Sequence, residues 1–247
     1  MRRKAKSGQC PPSVRAAVLL ASAALVLSAC GAINTVRQAV HDVEGNRSTI
    51  DSFTKGLEPS PATAFAATYT TTGSAPATIV YAVNPGAGDL AFHETQTGAN
   101  ASSTQLIVSS SGDYLCNQSG GTAPWSCQKL SRTDAEAQKQ LFDVYTPAHW
   151  IDFLDGASFV AGLAGDKVSS STMSLNGFAM DCVDLVASGV SGTSTICSTS
   201  QGILGYVKVA SDSTSFEITD YTASPAPALF ELPAGATVTT VTTGTTT

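Results

Sequence analysis

Cysteine is the residue type in this chain whose chemistry is most constrained by spacing. A thiol can accept a lipid, form a disulfide, or ligate a metal as a thiolate. The cysteines of the chain are Cys10, Cys30, Cys116, Cys127, Cys182 and Cys197. Among the last four, Cys116 is followed by Cys127, and Cys182 is followed by Cys197. The two cysteines of each pair are much farther apart in the sequence than those of the C-x-x-C motif found in zinc knuckles and thioredoxin-like sites. We therefore predict no metal site and no dithiol redox site.

Cys30 directly follows a segment with the features of a secretion signal. Basic residues without any acidic one precede Ala16–Leu27, an apolar run that is shorter than the roughly 20 residues of an ordinary membrane-spanning helix. The sequence Leu27-Ser28-Ala29-Cys30 then resembles the lipobox at which bacterial lipoproteins are acylated and cleaved. We predict that Met1–Ala29 are removed and that Cys30 carries a lipid. That lipid would anchor the protein to the outer side of the cytoplasmic membrane, or to an outer membrane.

The composition of the chain that begins at Cys30 argues against nucleic acid as a partner. This part contains 8 basic and 19 acidic residues, a formal net charge of −11. Affinity for nucleic acid depends on neutralising phosphates with Lys and Arg, which an acidic surface cannot do. Charged residues are sparse, at 13% of the whole chain, while Ser, Thr, Ala and Gly are abundant. This composition is typical of an extracellular β-rich protein with many turns.

The four cysteines that follow Cys30 are predicted to form two structural disulfides. Four cysteines allow three pairings. We favour Cys116–Cys127 and Cys182–Cys197, because each pair flanks a predicted hairpin. Each bridge would contribute about 3 kcal/mol through the entropy of the unfolded chain. Disulfides form in oxidising compartments, which agrees with export.

The sequence contains no recognisable catalytic arrangement. A hydrolase needs a nucleophile, a base and an orienting acid, and the G-x-S-x-G motif is absent. The three histidines, His41, His93 and His149, are too scattered for a zinc site. We therefore predict no catalytic residue, no cofactor and no enzymatic activity.

Hydrophobic periodicity predicts helices at the start and in the middle of the chain. Ile33, Val36, Val40 and Val43 form one apolar stripe, and Ile50, Phe53 and Leu57 continue an apolar face after a break. A second helix is predicted from an N-cap at Ser131 or Thr133 to Tyr145, with acidic residues in its first turn. A third is predicted to begin at Pro147 and to end at Gly156.

Eleven strands are predicted on either side of the middle helices, separated by Gly-, Asn- and Ser-rich turns. Asn176-Gly177 predicts a type I′ hairpin turn. The strand candidates are Ala67–Thr72, Thr78–Val83, Asp89–Thr95, Gln105–Ser110, Asp113–Cys116, Trp125–Leu130, Val168–Leu175, Phe178–Ala187, Gly192–Ser198, Ile203–Ala210 and Ser213–Tyr221.

The order of helix, strands, helices and strands resembles the periplasmic lipoprotein-carrier superfamily of LolA-, LppX- and LprG-like proteins. Phe216–Tyr221 is similar to the last long strand of that family, and Leu229–Ala236 resembles its closing F-x-L-P-x-G-A segment. The resemblance covers roughly Asp51 to Val238, mostly as a pattern. The two hairpin disulfides are not a general feature of the family.

The resemblance implies an α+β fold, in which a strongly curved antiparallel sheet forms an incomplete barrel wrapped around helices and is preceded by an N-terminal helix. It also implies an apolar cavity for acyl chains between sheet and helices. Burying hydrocarbon there would yield about 0.8 kcal/mol per CH₂ group. Packing in an ordinary core is the alternative role for each candidate lining residue. These candidates are Val80, Phe92, Leu106, Phe142, Tyr145, Trp150, Phe153 and Leu154.

The sequence thus predicts a signal peptide at 1–29, a lipidated tether with a helix at 30–56, a carrier-like domain at 57–238 and a Thr-rich tail at 239–247. The expected function is a membrane-anchored extracytoplasmic lipoprotein that binds or transfers a lipid or acyl chain. The alternative is a non-enzymatic envelope sensor or protein-interaction module, whose partner would be another envelope protein.

Overall fold

The structure, a computed structural model, describes residues 47–58, 61–73, 76–98, 101–160, 167–186, 189–210, 212 and 214–240. The predicted signal peptide, Cys30 and the stripe from Ile33 to Val43 lie outside these residues. The predicted tail at 239–247 is described only as far as Thr240.

Twelve strands dominate the described residues. Their bounds are β1 (Phe65–Thr71), β2 (Ala77–Asn84), β3 (Asp89–Gln96), β4 (Ser102–Ser109), β5 (Gly112–Ser119), β6 (Ser126–Leu130), β7 (Lys167–Leu175), β8 (Phe178–Val186), β9 (Ser194–Thr199), β10 (Leu204–Lys208), β11 (Ser215–Thr222) and β12 (Thr237–Thr240). The eleven predicted strands correspond to β1–β11. β12 has no predicted counterpart, because its Thr-rich sequence has no buried apolar face.

All twelve strands belong to one sheet, in the order β12-β6-β5-β4-β3-β2-β1-β11-β10-β9-β8-β7. Neighbouring strands pair antiparallel, except that β12 pairs parallel to β6. β1 lies between β2 and β11, so it joins the strands that precede the middle helices to those that follow them.

The predicted α+β class, with a sheet forming an incomplete barrel wrapped around helices, is wrong. The molecule is mostly sheet, with 49% strand and 18% helix, and the sheet is not closed into a barrel. β12 and β7 form its two edges. The resemblance implied that the middle of the chain forms a helical core enclosed by the sheet. The structure has short helical segments there instead.

Three α-helices and two 3₁₀ turns accompany the sheet in the described part of the chain. The helices are α1 (Arg47–Thr54), α2 (Arg132–Lys139) and α3 (Pro147–Val160), and the 3₁₀ turns span Asp143–Tyr145 and Pro227–Phe230. No described helix is both long enough and apolar enough to cross a membrane.

The helix boundaries follow the predicted signals in part. Ser131 is the N-cap of α2, since its side-chain oxygen accepts a hydrogen bond from the Asp134 amide. The helix predicted to run on to Tyr145 instead ends at Lys139 and gives way to a 3₁₀ turn. Pro147 begins α3 as predicted, but Gly156 does not end it. A single glycine costs only about 1 kcal/mol in a helix, which packing of the preceding residues can offset.

The turn between β7 and β8 has the geometry that Asn-Gly predicts. Asn176 and Gly177 both have positive φ, at 53° and 84°, as a type I′ turn requires. The Asn176 side chain donates a hydrogen bond to the Ile218 carbonyl at 2.9 Å. The hairpin tip therefore contacts β11, although three strands separate β7 from β11 in the sheet order.

Both predicted disulfides are present. Cys116–Cys127 joins β5 to β6, and Cys182–Cys197 joins β8 to β9. In each case the two cysteines are direct cross-strand partners in the ladder. All four are almost completely buried.

Strands β1–β5 have two distinct faces, which define the site described below. The inner face carries Phe65, Tyr69, Tyr81, Phe92 and Leu106, which belong to the main hydrophobic core together with residues of the helices. The outer face is the opposite one, with Ala66, Ala82 and Ala91 under the C-terminal 3₁₀ turn. Alternation of side chains along each strand separates the two sets.

Candidate functional site: the aromatic interface between sheet and helices

A stack of three aromatic rings joins the inner face to the helical segments. The Tyr81 and Phe92 centroids are 4.7 Å apart, and those of Phe92 and Phe142 are 4.9 Å apart, with both pairs nearly parallel. Tyr81 and Phe92 are cross-strand partners on β2 and β3, while Phe142 follows α2. Aromatic pairs of this kind contribute about 0.5–1.5 kcal/mol beyond area burial.

A second ring cluster lies around Tyr69 on β1. Its centroid is 6.4 Å from that of Tyr145 in the 3₁₀ turn and 5.7 Å from that of Phe216 on β11. Tyr145 and Phe216 also touch, with centroids 5.3 Å apart. Tyr69 is therefore enclosed between the sheet and the turn that leads into α3.

Helix α3 adds a third apolar group to this interface. The Trp150 indole Nε1 donates a hydrogen bond to the Val144 carbonyl at 2.7 Å, which ties the helix to the preceding turn. Its ring meets Phe153 with a centroid distance of 5.5 Å, and Leu154 is fully buried. These contacts fix the start of α3 against the preceding 3₁₀ turn, and Trp150 and Leu154 belong to the main core.

Seven of the eight candidate lining residues meet in the main core. Phe92, Leu106, Phe142, Trp150 and Leu154 are buried there, and Tyr145 and Phe153 pack against them half-buried. Val80 is the exception. It lies between Ile79 and Tyr81 on β2, so it points to the outer face, where its cross-strand partner is His93.

The Tyr69 hydroxyl is the most unusual polar group of the interface. Tyr69 is fully buried, and its hydroxyl has no hydrogen-bond partner among the described residues. Burial, with Tyr81 as a smaller cause, raises the pKa of this phenol, so it is a neutral hydrogen-bond donor. A buried polar group without a partner costs about 1–3 kcal/mol, so such groups are rare in native proteins.

Acidic side chains border the interface near the other two tyrosines. Burial, with the Asp143 carboxylate as a smaller cause, raises the pKa of Tyr81 to about 12. Burial and the Glu94 carboxylate raise the pKa of Tyr145. Glu94 is half-buried on the inner face and accepts a hydrogen bond from Gln96.

Asp143 and His149 form a half-buried pair of titratable groups at the same border. Burial raises the pKa of Asp143, although His149 and Lys139 act in the opposite direction. Burial lowers the pKa of His149, against the opposing influence of Asp143 and Asp152. The described residues contain no cluster of three His, Cys, Asp or Glu side chains that could hold a metal.

The outer face is covered by the chain that follows β11. Phe230, in the C-terminal 3₁₀ turn, is buried on a row of Ala66, Ala82 and Ala91, which are cross-strand neighbours on β1, β2 and β3. The His93 ring nitrogen Nε2 lies 3.0 Å from the Leu229 carbonyl oxygen, in a hydrogen bond. The chain then reaches the edge of the sheet as β12.

Sequence reasoning did not single out Tyr69, Tyr81 or Phe216 as part of this interface. On β2 the five consecutive residues Ile79 to Val83 are all apolar or aromatic, so alternation could not decide which face is inner. The sizes of the side chains could have indicated the orientation of β2. The large Ile79 and Tyr81 share one face, and the small Ala82 lies on the other.

Comparison with known proteins does not identify the chain. No family model and no curated protein matches it. Among solved structures, it is similar to the crystal structure of an uncharacterized conserved protein from Thermus thermophilus, at 8% identity. The alignment covers 80% of this chain and 100% of that chain, with a TM-score of 0.42, a likeness too low to carry an argument.

Proposed function

We propose that the protein is a non-enzymatic, membrane-anchored extracytoplasmic lipoprotein that binds a lipid acyl chain between the inner face of its sheet and its helices. The observation that carries this proposal is the fully buried Tyr69 hydroxyl, which has no hydrogen-bond partner among the described residues and lies inside an otherwise aromatic and aliphatic interface. Ligand pockets commonly combine apolar walls with a few polar groups that fix orientation. Tyr69 supplies such a group here.

Binding would require the helical segments to move away from the sheet. In this structure Phe92 is stacked on both Tyr81 and Phe142, so these rings fill the space between β3 and the end of α2. An acyl chain would replace ring–ring contacts with ring–hydrocarbon contacts. Each CH₂ group transferred from water would contribute about 0.8 kcal/mol, so a chain of ordinary length offsets the loss of a few stacked pairs.

The location proposal depends on Cys30, which lies outside the described residues. Two observations support it. The sequence before Cys30 has the order of basic, apolar and small residues typical of a lipoprotein signal. The four later cysteines are all paired in disulfides, which is typical of an oxidising compartment outside the cytoplasm.

Kinship with the lipoprotein-carrier superfamily is proposed only from the Leu229–Ala236 segment. In this chain that segment has a definite structural role, because it places Phe230 on the outer face and leads into β12. The barrel-like fold that came with the resemblance is not part of the proposal.

Native mass spectrometry and lipid extraction of the full-length protein, purified in detergent, test the proposed function. We expect a copurifying lipid, or uptake of an added neutral lipid such as dioleoylglycerol after delipidation. Heat-unfolded protein at the same concentration controls for non-specific association. If the native protein neither retains nor takes up any lipid, the proposal is wrong.

A second candidate function is a protein-interaction module in the envelope. It is favoured by the closed packing of the Tyr81–Phe92–Phe142 stack and by two exposed apolar residues of the C-terminal segment, Leu232 and Val238. Replacing both with Ser should then weaken capture of an envelope protein that the wild-type chain crosslinks in cells, with lipid uptake unchanged. The same replacement at exposed Leu141 is the matched control.

A further inference from the structure

The two edges of the sheet differ in how they are protected. β12 ends the sheet on one side with four residues, whereas β7 ends it on the other side with nine. Proteins commonly block an edge with a short strand, a proline, a bulge or charges, because unpaired backbone groups pair readily with another chain. β7 has no proline, no bulge in its register with β8, and one charged residue, Lys167, at its start. No described strand pairs with its free side.

The two-residue turn between β7 and β8 identifies the backbone groups that point to this open edge. Leu175 and Phe178 flank the turn and are cross-strand partners, so they form a hydrogen-bonded pair. Hydrogen-bonded and non-hydrogen-bonded pairs then alternate along the ladder. The N–H and C=O groups of every second residue therefore point away from β8. Within the middle and end of the strand these residues are Ser170, Thr172 and Ser174.

The side chains of β7 suit pairing with the same strand of a second copy. Its central residues are exposed, small and mostly hydroxylated, and Met173 is half-buried at the rim of the main core. Antiparallel pairing centred on Thr172 places Ser170 opposite Ser174 of the second copy. Cross-strand hydroxyl pairs are favourable, and the added strand covers remaining apolar surface of Met173.

The charges favour this edge, and the antiparallel direction, for contact between two copies. The chain from Cys30 onwards has a formal net charge of −11, so most of its surface repels a second copy, but β7 has no acidic residue. Asp181, the partner of Thr172 on β8, would lie three strand spacings, about 14 Å, from its counterpart. That distance exceeds the Debye length of about 8 Å. Antiparallel pairing also separates the two Lys167 side chains by about 30 Å, whereas parallel pairing would place them together.

We infer that β7 is a self-association edge, at which two copies of this chain pair antiparallel around Thr172 and extend the sheet from one copy into the other. Three outward-facing residues in each copy give about six backbone hydrogen bonds between the strands. An interface one strand wide is small, so the dimer is weak and reversible. The inference is independent of any ligand on the inner face.

The experiment measures self-association of the full-length protein by sedimentation velocity in detergent, with micelles in large excess over protein. A concentration series gives the dimer Kd. Thr172→Pro removes an outward N–H that does not donate to β8, so the ladder within the chain is kept. Thr172→Lys and Thr172→Glu place like charges opposite each other at the axis. Thr95→Lys is the matched control, at an exposed threonine of the interior strand β3. Circular dichroism melts check that each variant is folded.

We expect wild type to dimerise reversibly as its concentration rises. Thr172→Pro should weaken the dimer about tenfold, since both copies lose a central hydrogen bond. Thr172→Lys and Thr172→Glu should each weaken it about two- to fivefold. An equimolar mixture of these two variants should associate more tightly than either alone, because opposite charges then meet at the axis. Thr95→Lys should behave as wild type.

Three outcomes overturn the inference. Wild type that stays monomeric over the whole series shows that the edge does not pair with itself. An unchanged dimer Kd in folded Thr172→Pro shows that the copies meet through another surface. A different envelope protein that copurifies with monomeric wild type, and is lost in Thr172→Pro, shows that the edge accepts another chain instead. Lipid uptake enters none of these measurements, so none of these outcomes bears on the proposed function.

Discussion

The two faces of β1–β5 are covered in different ways. On the inner face, large rings from the sheet meet large rings from the helical segments, as in the Phe92–Phe142 pair. On the outer face, one ring, Phe230, rests on a row of three alanines. The inner face therefore gains stability from many mutual contacts, whereas the outer face depends on small residues that leave room for a single large one.

This difference indicates which of the two faces can exchange its ring contacts for contacts with another molecule. A ring in a stack can separate from its partners and still contact a replacement such as an acyl chain. A ring that packs on alanine methyl groups cannot exchange its contacts in this way, because the backbone and the Cβ atoms that surround it cannot rearrange. The proposed ligand binding is accordingly assigned to the inner face, whereas Phe230 has a structural closing role on the outer face.

The largest expected effect comes from removing one phenylalanine from each face. Phe92→Ala should lower the free energy of unfolding by about 3–5 kcal/mol, since it leaves a cavity between two rings. Phe230→Ala should cost about 1.5–3 kcal/mol, the value of burying one such side chain. Urea unfolding monitored by circular dichroism measures both. Equal losses would contradict the proposed difference between the faces.

The two disulfides give the next largest effect. Replacing both cysteines of either pair by Ser should cost about 3 kcal/mol, because the sequence separations of 11 and 15 close loops of similar entropy. Cys182 and Cys197 belong to the main core, whereas Cys116 and Cys127 lie on the outer face of β5 and β6. Non-reducing thermal melts of the two double variants compare them. A much larger loss in one variant than in the other would show that surroundings, and not loop length, dominate.

A smaller effect is expected from filling the alanine row. Ala82→Leu should cost about 1–3 kcal/mol by overpacking, because Phe230 occupies the space above it. Adding Phe230→Ala should recover part of that loss, which a double-mutant cycle measures as a coupling. Ala137→Leu, at an exposed position of α2, controls for the extra hydrocarbon. Strictly additive losses would mean that Phe230 does not fill this row.

The smallest effect is a dependence of stability on pH through His93 on the outer face and His149 on α3. Burial lowers the pKa of both His93 and His149 below the ordinary value of about 6.5. The unfolded chain therefore binds more protons than the folded one in acid, so stability present at pH 7 is lost as the pH falls through 6.5 and below.

Glutamine variants separate the two histidines. His93→Gln should reduce the acid sensitivity of the melting temperature between pH 7.5 and 5.5, while its amide can still donate to the Leu229 carbonyl. His149→Gln should act in the same direction, since burial lowers the pKa of both histidines; Asp143 and Asp152 oppose this shift in His149, as the hydrogen bond to Leu229 does in His93. Unchanged acid sensitivity in His93→Gln would show that the outer-face histidine does not titrate differently on folding.

Much of the local structure was predictable from the sequence. Alternation and turn residues located β1–β11, Asn176-Gly177 gave the hairpin turn, and Ser131 gave the N-cap of α2. These signals are local, since each depends on a few neighbouring residues and on intrinsic backbone preferences. Disulfide pairing was also predictable, because cysteines that flank a hairpin become cross-strand partners.

The assembly of these elements was not predictable in the same way. Val80 was expected at the interface but faces outward, because both faces of β2 are apolar and only its pairing with β1 and β3 sets the orientation. β12 was missed for a similar reason. Its threonine and valine side chains are exposed, and the segment becomes a strand only because β6 offers an unpaired edge.

The sequence by itself determined β1–β11 and the disulfide pairs, because each follows from local spacing and chemistry. Lipid attachment at Cys30 stays a prediction. Only the tertiary structure decided that one open twelve-stranded sheet forms instead of a barrel-like sheet around helices. It also decided that Tyr69 is buried, with no hydrogen-bond partner for its hydroxyl in the described part of the chain, while Phe230 closes the opposite face. Such features depend on which faces of distant strands and helices meet, and no local pattern encodes that choice.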